Sequence, residues 1–261
     1  MKNKKNGAKY LLLSVLSVLV VVFVWYLVTD ILKMFPSSLF PSPVKVVRTF
    51  FIKLYDVNPD GATLPEHIGA SLQVALLGYF LGIIVGIPLG ILMGWNEKID
   101  MFVRPLFDLL RPVPGIAWIP LMIIFLGIGI ASKAAVIFLS ALIPCIVNAY
   151  SGVKRTRAVH LWVGQTFGAS NMQLLFKIAV PTALPMVMTA CRVALGSAWT
   201  ALVAAELLAS TRGLGFLIQQ CRGLSRPDVI IVGMISIGAI GALLGQLLSV
   251  VEKIVLKGGE Q

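Results

Sequence analysis

Long apolar runs separated by short polar segments dominate this chain. They cover residues 11–32, 68–94, 112–132, 134–153, 178–208 and 229–251. A helix needs roughly 20 apolar residues to cross the hydrocarbon core of a bilayer, and each run provides that length. Asp30 lies near the end of the first run, and the fifth run reaches this length only because it tolerates Arg192. The pattern predicts an all-α integral membrane protein with six transmembrane helices.

The composition agrees with this interpretation. Hydrophobic residues make up 58% of the chain and charged residues only 13%, whereas a soluble domain has roughly 45–50% apolar and about 25% charged residues. The first run is also longer than the apolar region of a secretory signal, which has about 7–15 residues. Because Lys33–Pro36 offers no small-residue cleavage site after it, we expect an uncleaved first span.

The distribution of Lys and Arg predicts the orientation. Basic residues cluster at the N-terminus and after the fourth span, and such clusters mark cytoplasmic segments. We therefore expect both termini in the cytoplasm. The expected divisions are a tail at 1–10, a first span at 11–32, an external segment at 33–67 with a short amphipathic helix, a five-helix core at 68–256 that includes a cytoplasmic loop at 154–180, and a tail at 257–261.

The net charge of +11 is explained by this topology and by attraction to anionic lipid. We expect membrane lipid as a partner and no nucleic acid, because the sequence shows no soluble basic face.

Small residues and prolines mark two special helices. Glycines recur at four-residue spacing along the second span, at Gly78, Gly82, Gly86 and Gly90, which predicts a seam where another helix packs closely. The third span begins at Arg111–Pro120, which contains three prolines and predicts irregular backbone. Irregular backbone at membrane depth needs protein or a water-filled cavity around it. Two interpretations stay open: a lining of a transport pathway, or a plain turn at the membrane interface.

The cytoplasmic loop predicts a helical hairpin. Residues 160–167 and 171–178 have the pattern of two short helices joined at Gly168, Ala169 and Ser170. Gly168 suits the left-handed position that ends a helix, and Ser170 or Asn171 can cap the next one. Such a hairpin, exposed to the cytoplasm, is suited to binding a partner.

The spacing of Gly168, Ile178 and Pro181 resembles the coupling-loop signature of ABC-importer permeases. Four segments together resemble the nitrate, taurine and alkanesulfonate group of that family: Arg111–Lys133, Gly168–Pro185, Arg192–Glu206 and Gly213–Phe216. One position departs from the family pattern. Trp162, Val163 and Gly164 stand where the family has the Glu-Ala-Ala that names the loop.

The resemblance implies a type I ABC-importer permease fold and several partners. They are a second permease copy, giving a homodimer, two ATP-binding subunits that hold ATP and Mg²⁺, and an external binding protein. The location would be the bacterial cytoplasmic (inner) membrane, and the cargo a small anionic solute such as a sulfonate, taurine or nitrate. The sequence has no phosphate-binding GxxxxGK[ST] motif, so we expect no catalytic residue and no bound cofactor or metal in this chain.

The resemblance also assigns the segment that docks on the ATPase, which would comprise Gln165, Thr166, Phe167, Gly168, Ala169, Ser170 and Asn171. The irregular start of the third span and the polar or charged residues inside spans provide candidates for the translocation pathway. They are Pro112, Pro114, Trp118, Asn148, Arg192, Trp199 and Glu206.

Arg192 and Glu206 are charged residues inside a span, which are functional suspects by default. Their spacing places them on one helix face but roughly 21 Å apart, so they cannot pair with each other. Arg192 could bind an anion or could pair with backbone carbonyls or a partner subunit. Glu206 could act in gating or could be structural.

Two other classes of protein are weighed against the importer. A membrane-embedded enzyme would need clustered catalytic groups, but the two histidines, His67 and His160, fall on opposite sides of the bilayer. A stand-alone secondary carrier would not need a docking hairpin, and no inverted repeat is evident in the sequence. The three scattered cysteines favour neither a disulfide framework nor a zinc site.

Overall fold

The computed structural model describes the backbone of residues 3–257 and the side chains of residues 12–256. Over that range the chain is helical and contains no β-strand. The helices are α1 (Asn3–Tyr26), α2 (Pro43–Lys53), α3 (Leu64–Trp95), α4 (Glu97–Leu110), α5 (Ile119–Leu126), α6 (Ile130–Lys154), α7 (Ala158–Thr166), α8 (Asn171–Leu174), α9 (Val180–Leu208), α10 (Leu214–Gly223) and α11 (Pro227–Lys257).

Five helical segments are long and apolar enough to cross a membrane. They are Leu12–Ile31, Leu64–Trp95, Ile130–Lys154, Asn171–Leu208 and Pro227–Leu256. A sixth crossing requires the pair Glu97–Leu110 and Gly115–Leu126 to act together, and these two limbs meet at 83°. The all-α membrane fold predicted from the apolar runs is confirmed. The third span begins with irregular backbone, as its prolines predicted, and is bent as well as broken.

Three long helices, α3, α6 and α9, form the core. Their buried side chains are mostly small or branched, including Val74, Ile137, Ala141, Ala198 and Leu202. The predicted glycine seam lies on the face of α3 that meets α6. A Cβ added at Gly82 would lie 2.5 Å from the Cβ of Ala141, and one at Gly78 would lie 2.6 Å from the Cβ of Ile137. The two backbones therefore approach closely because these positions lack side chains.

The first span lies at the edge of this core. Its described residues from Leu12 to Val24 are all exposed within the single chain, which suits a helix surrounded by lipid. One tether joins it to the following segment: Trp25 Nε1 donates a hydrogen bond to the carbonyl oxygen of Pro41 at 3.1 Å.

The segment between the first two spans contains the expected amphipathic helix, α2. Ser42 caps it by accepting a hydrogen bond from the backbone N–H of Lys45 at 3.3 Å. One face of α2 buries Val46, Thr49 and Lys53, and Thr49 Oγ1 donates to Asp228 on α11 at 3.1 Å. The external segment is thereby fixed to the last span, and α3 begins at Leu64.

The prediction of two separate short helices in the cytoplasmic loop was wrong for the second one. The first is α7, as expected. The second, α8, continues through a π-helical turn at Leu175–Ala179 into α9, so that Asn171–Leu208 forms one helical segment. Pro181 does not interrupt this segment, because it lies in the first turn of α9, where a proline lacks only an amide that the π turn leaves free.

Candidate functional site

A cavity of about 610 Å³ opens between the broken third span, α6 and α9. The walls of this cavity come from three stretches of chain: residues 110–118, residues 139–144 and residues 193–201. The prolines explain its first wall, because Pro114 precedes a 3₁₀ turn at Gly115–Trp118 instead of a regular helix. Gly115 brings that turn close to α6, since a Cβ at Gly115 would overlap Ser140 Oγ.

The cavity wall is mostly apolar, with a few polar groups. The hydroxyl groups belong to Ser140, Ser197 and Thr200, and Trp118 adds an indole ring. Arg111 is the one ionisable residue among the described residues of the wall.

Of the seven residues predicted to line the pathway, the cavity wall includes Pro114 and Trp118. Pro112 lies between two wall residues, Arg111 and Val113. Asn148 donates a hydrogen bond from Nδ2 to the carbonyl of Pro144 in its own helix, at 2.8 Å.

The remaining three candidates lie away from the cavity wall. Trp199 Nε1 donates to the carbonyl of Ile237 at 3.2 Å and so joins α9 to α11. Arg192 forms a salt bridge to Glu252 on α11. The partner of Arg192 is therefore a carboxylate of the same chain, and not a backbone carbonyl or another subunit as the sequence pattern suggests.

Glu206 lies at the opposite end of α9, where it is 1% exposed. Ser71 Oγ on α3 donates to its carboxylate at 2.8 Å, and the backbone N–H of Gly215 donates to it at 2.9 Å. Ser71 Oγ in turn accepts from the N–H of Leu214 at 2.8 Å. Glu206 therefore holds the turn at residues 209–215 against α3, which is a structural contact.

A second set of buried polar residues contacts the same turn. His67 Nδ1 accepts a hydrogen bond from the N–H of Gly213 at 3.1 Å, so that its Nε2 carries the proton and faces Asp60. Asp60 also pairs with the buried Lys53 of α2. This arrangement joins the segment between the first two spans, α3 and the turn before α10, and no motif in the sequence indicates it.

The hairpin at residues 158–178, expected on the cytoplasmic side, has the turn that its sequence predicted. Gly168 has a φ of +72°, which a glycine adopts at little cost. Ser170 caps the following helix by accepting from the N–H of Gln173 at 3.3 Å, and Gln173 Oε1 accepts from the N–H of Ser170 at 2.8 Å. Ser170, and not Asn171, is therefore the capping residue.

Gly164, the small residue at the third position of the Glu-Ala-Ala pattern, packs between α7 and the next helix. A Cβ at Gly164 would lie 2.5 Å from Leu174 Cδ2 and 3.0 Å from Ile178 Cδ1, so the ends of these flexible side chains would have to shift to admit a larger residue. Trp162 is 62% exposed and Phe167 is 86% exposed. The hairpin thus presents apolar side chains, and no carboxylate, on its outer surface.

Comparison with known proteins places the chain in a family. A family model for the binding-protein-dependent transport system inner membrane component matches residues 86–258. The chain belongs to this family. It is 38% identical over 235 residues to the taurine transport system permease protein TauC of Escherichia coli (strain K12), which covers 89% of this chain and 84% of that protein. It is 32% identical over 260 residues to the nitrate import permease protein NrtB of Synechocystis sp. (strain ATCC 27184 / PCC 6803 / Kazusa), covering 98% and 94%.

A solved structure supports the fold. The chain is similar to one in a structure described as inward-facing conformations of the MetNI methionine ABC transporter, with a TM-score of 0.63 and 18% identity. The match covers 76% of this chain and 96% of the other. The type I permease architecture expected from the resemblance is therefore confirmed.

Membership of this family decides between the alternatives considered above. The chain is a multi-pass permease subunit of a binding-protein-dependent ABC importer in the cytoplasmic membrane, and ATP hydrolysis belongs to separate ATPase subunits. It is neither an enzyme nor a stand-alone carrier.

Proposed function

We propose that two copies of this permease form the pathway for a small solute that carries an oxyanion group. The observation that carries this proposal is the cavity, which is lined by three stretches of a single chain and is open to the surface of that chain. The apolar residues Ile124 and Phe125 on α5 are also 77% and 72% exposed in the single chain. A second copy related by twofold symmetry would close the cavity and cover these residues.

The class of cargo is inferred from the relatives. One is named for taurine and another for nitrate. The two solutes share a negatively charged group of oxygens on a central sulfur or nitrogen and little else. The shared chemistry supports a small sulfonate-like or nitrate-like solute, and the external binding protein would choose among such solutes.

The cytoplasmic hairpin is the proposed docking site for the ATPase. The apolar side chains of Trp162, Phe167 and Met172 are each more than half exposed, and burial of such side chains stabilises an interface. Residues Gln165–Asn171 would enter a groove on the ATPase. The ATPase would bind ATP and Mg²⁺, and this chain would bind neither.

The proposed mechanism is a rigid-body transition. Closure of two ATPase subunits would move two hairpins together. Because α8 is continuous with the fifth span through Asn171–Leu208, movement of the hairpin would be passed directly to the wall of the cavity. For this mechanism the hairpin must face the cytoplasm. With six spans, both termini would then also lie in the cytoplasm. The chain would be divided at the boundaries predicted from the sequence.

The test is to purify the chain with its genomic neighbours and measure composition and uptake. We expect native mass spectrometry to show two permease copies and two ATPase copies. In proteoliposomes that contain the binding protein, ATP should drive uptake of taurine, nitrate or an alkanesulfonate. A complex with one permease copy, or one that transports only cations or neutral sugars, would contradict the proposal.

A further inference from the structure

We propose that Arg111 binds the oxyanion group of the solute in the cavity and makes the pathway selective for anions. This inference rests on the proposed function, because it takes the cavity as one half of the pathway. It names a residue that the pattern of apolar runs did not single out, and it assigns the role of anion ligand to Arg111 instead of Arg192.

The cavity wall extends into the membrane. Ser140 lies about ten residues beyond the start of α6, which is roughly 15 Å along the helix axis. The hydrocarbon core is about 30 Å thick, so this part of the wall lies near the middle of the membrane. Arg111 lines the same cavity, and it directly precedes the third apolar run, which begins at residue 112. In the expected topology Arg111 therefore lies at the cytoplasmic end of the cavity.

The guanidinium of Arg111 has no protein partner among the described residues. Within the described part of the chain, the Arg111 side chain has no salt bridge, and Asp108, the nearest carboxylate along the chain, does not pair with it. Arg192 and Arg104, in contrast, pair with Glu252 and Asp100. Arg111 lines the cavity and is exposed in the single chain, so its guanidinium is available to a solute.

Two hydroxyl groups of the cavity wall are not available as hydrogen-bond donors to an anion. Ser140 Oγ donates its hydrogen to the carbonyl of Val136 at 2.9 Å, and Thr200 Oγ1 donates to that of Gly196 at 3.0 Å. Each hydroxyl therefore presents lone pairs to the cavity, which an anion does not favour. The guanidinium of Arg111 offers a planar pair of N–H donors that matches two oxygens of a sulfonate, nitrate or carboxylate.

The arrangement also explains how the solute is released. A single exposed arginine forms a weak site, because water competes for the guanidinium and no buried carboxylate or second cation fixes its geometry. Arg111 directly follows α4 and stands at the expected cytoplasmic start of the third span. A solute released from a weak site at that end has a short path out of the protein.

The experiment compares Arg111→Gln, Arg111→Lys and Arg111→Cys in the complete importer with its ATPase and binding protein. Uptake of taurine, nitrate and an alkanesulfonate is measured beside ATP hydrolysis stimulated by the loaded binding protein. Loss of a hydrogen bond to a charged group costs about 1.5–3 kcal/mol, so we expect uptake by Arg111→Gln to fall at least about tenfold. ATP hydrolysis should stay within about twofold of wild type, and Arg111→Lys should keep a substantial part of the uptake.

Arg111→Cys tests the charge itself. Treatment with a cationic aminoethyl methanethiosulfonate should restore uptake, whereas a neutral methyl or an anionic sulfonatoethyl reagent should not. Wild type treated in the same way is the matched control, because Cys145, Cys191 and Cys221 are all buried.

Three results would overturn the inference. They are normal uptake by Arg111→Gln, equal rescue by the cationic and neutral reagents, or a parallel loss of uptake and ATP hydrolysis that Arg111→Lys does not repair. In each of these cases wild type still transports the oxyanions, so the proposed function stands. If wild type transports none of the three solutes, the proposed function fails and this inference fails with it.

Discussion

Ser71 donates a bifurcated hydrogen bond to Glu206, reaching Oε1 at 2.8 Å and Oε2 at 2.9 Å. The two residues lie on α3 and α9 and are both essentially inaccessible to solvent. Their contact assigns a structural role to Glu206, which the sequence had left open between gating and structure.

The first prediction concerns this pair. Glu206→Ala should lower the stability of the purified protein by about 1–3 kcal/mol, because Ser71 and the N–H of Gly215 would become unsatisfied buried donors. In a double-mutant cycle with Ser71→Ala we expect a coupling energy between about 0.6 and 3 kcal/mol. Thermal unfolding in detergent is the measurement. Ser249→Ala is the control, because Ser249 bonds only to Gly245 of its own helix. Additive effects of the two substitutions would contradict the contact.

The glycine seam gives a second prediction. Gly82→Leu should destabilise the protein by about 1–3 kcal/mol, because the side chain would be forced into α6. Gly238→Leu makes the same chemical change on α11, where a Cβ would have nothing within 4 Å, and it should be tolerated. The yield of folded protein and its melting temperature distinguish the two. Equal behaviour of the two variants would show that α3 and α6 do not pack through this seam.

A third prediction tests the orientation. Asn58→Cys should react with an impermeant maleimide on sealed cells, and Asn171→Cys should react only after the membrane is opened. The native thiols give little background. Burial raises the pKa of Cys221 to about 11, so at neutral pH it stays in the thiol form, which reacts far more slowly than thiolate. Labelling of Asn171→Cys in sealed cells would place the hairpin outside.

The salt bridge between Arg192 and Glu252 gives the fourth prediction. Arg192→Glu should reduce the amount of assembled importer, because two carboxylates would then face each other between α9 and α11. The exchange Arg192→Glu with Glu252→Arg should restore assembly and uptake in large part. Quantification of the membrane-inserted complex is the measurement. A selective loss of anion uptake in a normally assembled Arg192→Ala variant would instead make Arg192 a ligand of the solute.

Local patterns predicted more of this protein than long-range ones did. The glycine seam and the turn at Gly168 follow from spacing within one helix or loop, and the structure has both. Arg192 and Glu252 are separated by 60 positions, and Ser71 and Glu206 by 135, so no local pattern connects them. The three prolines indicated irregular backbone in the third span. They did not fix the bend of 83°, which depends on how α4 and α5 pack.

The final prediction concerns Gly168 in the cytoplasmic hairpin. Its φ of +72° is costly for a β-branched residue, and no atom lies within 4 Å of a Cβ placed there, so backbone strain would be the main effect of a substitution. Left-handed geometry costs an ordinary residue about 1–2 kcal/mol, and Gly168→Val should therefore distort the hairpin while the distant spans still insert. We expect normal membrane levels but loss of co-purifying ATPase and of uptake. Gly168→Asn is the matched control, because asparagine tolerates this conformation and should retain both. A Gly168→Val protein that binds its ATPase and transports normally would show that docking does not depend on this turn.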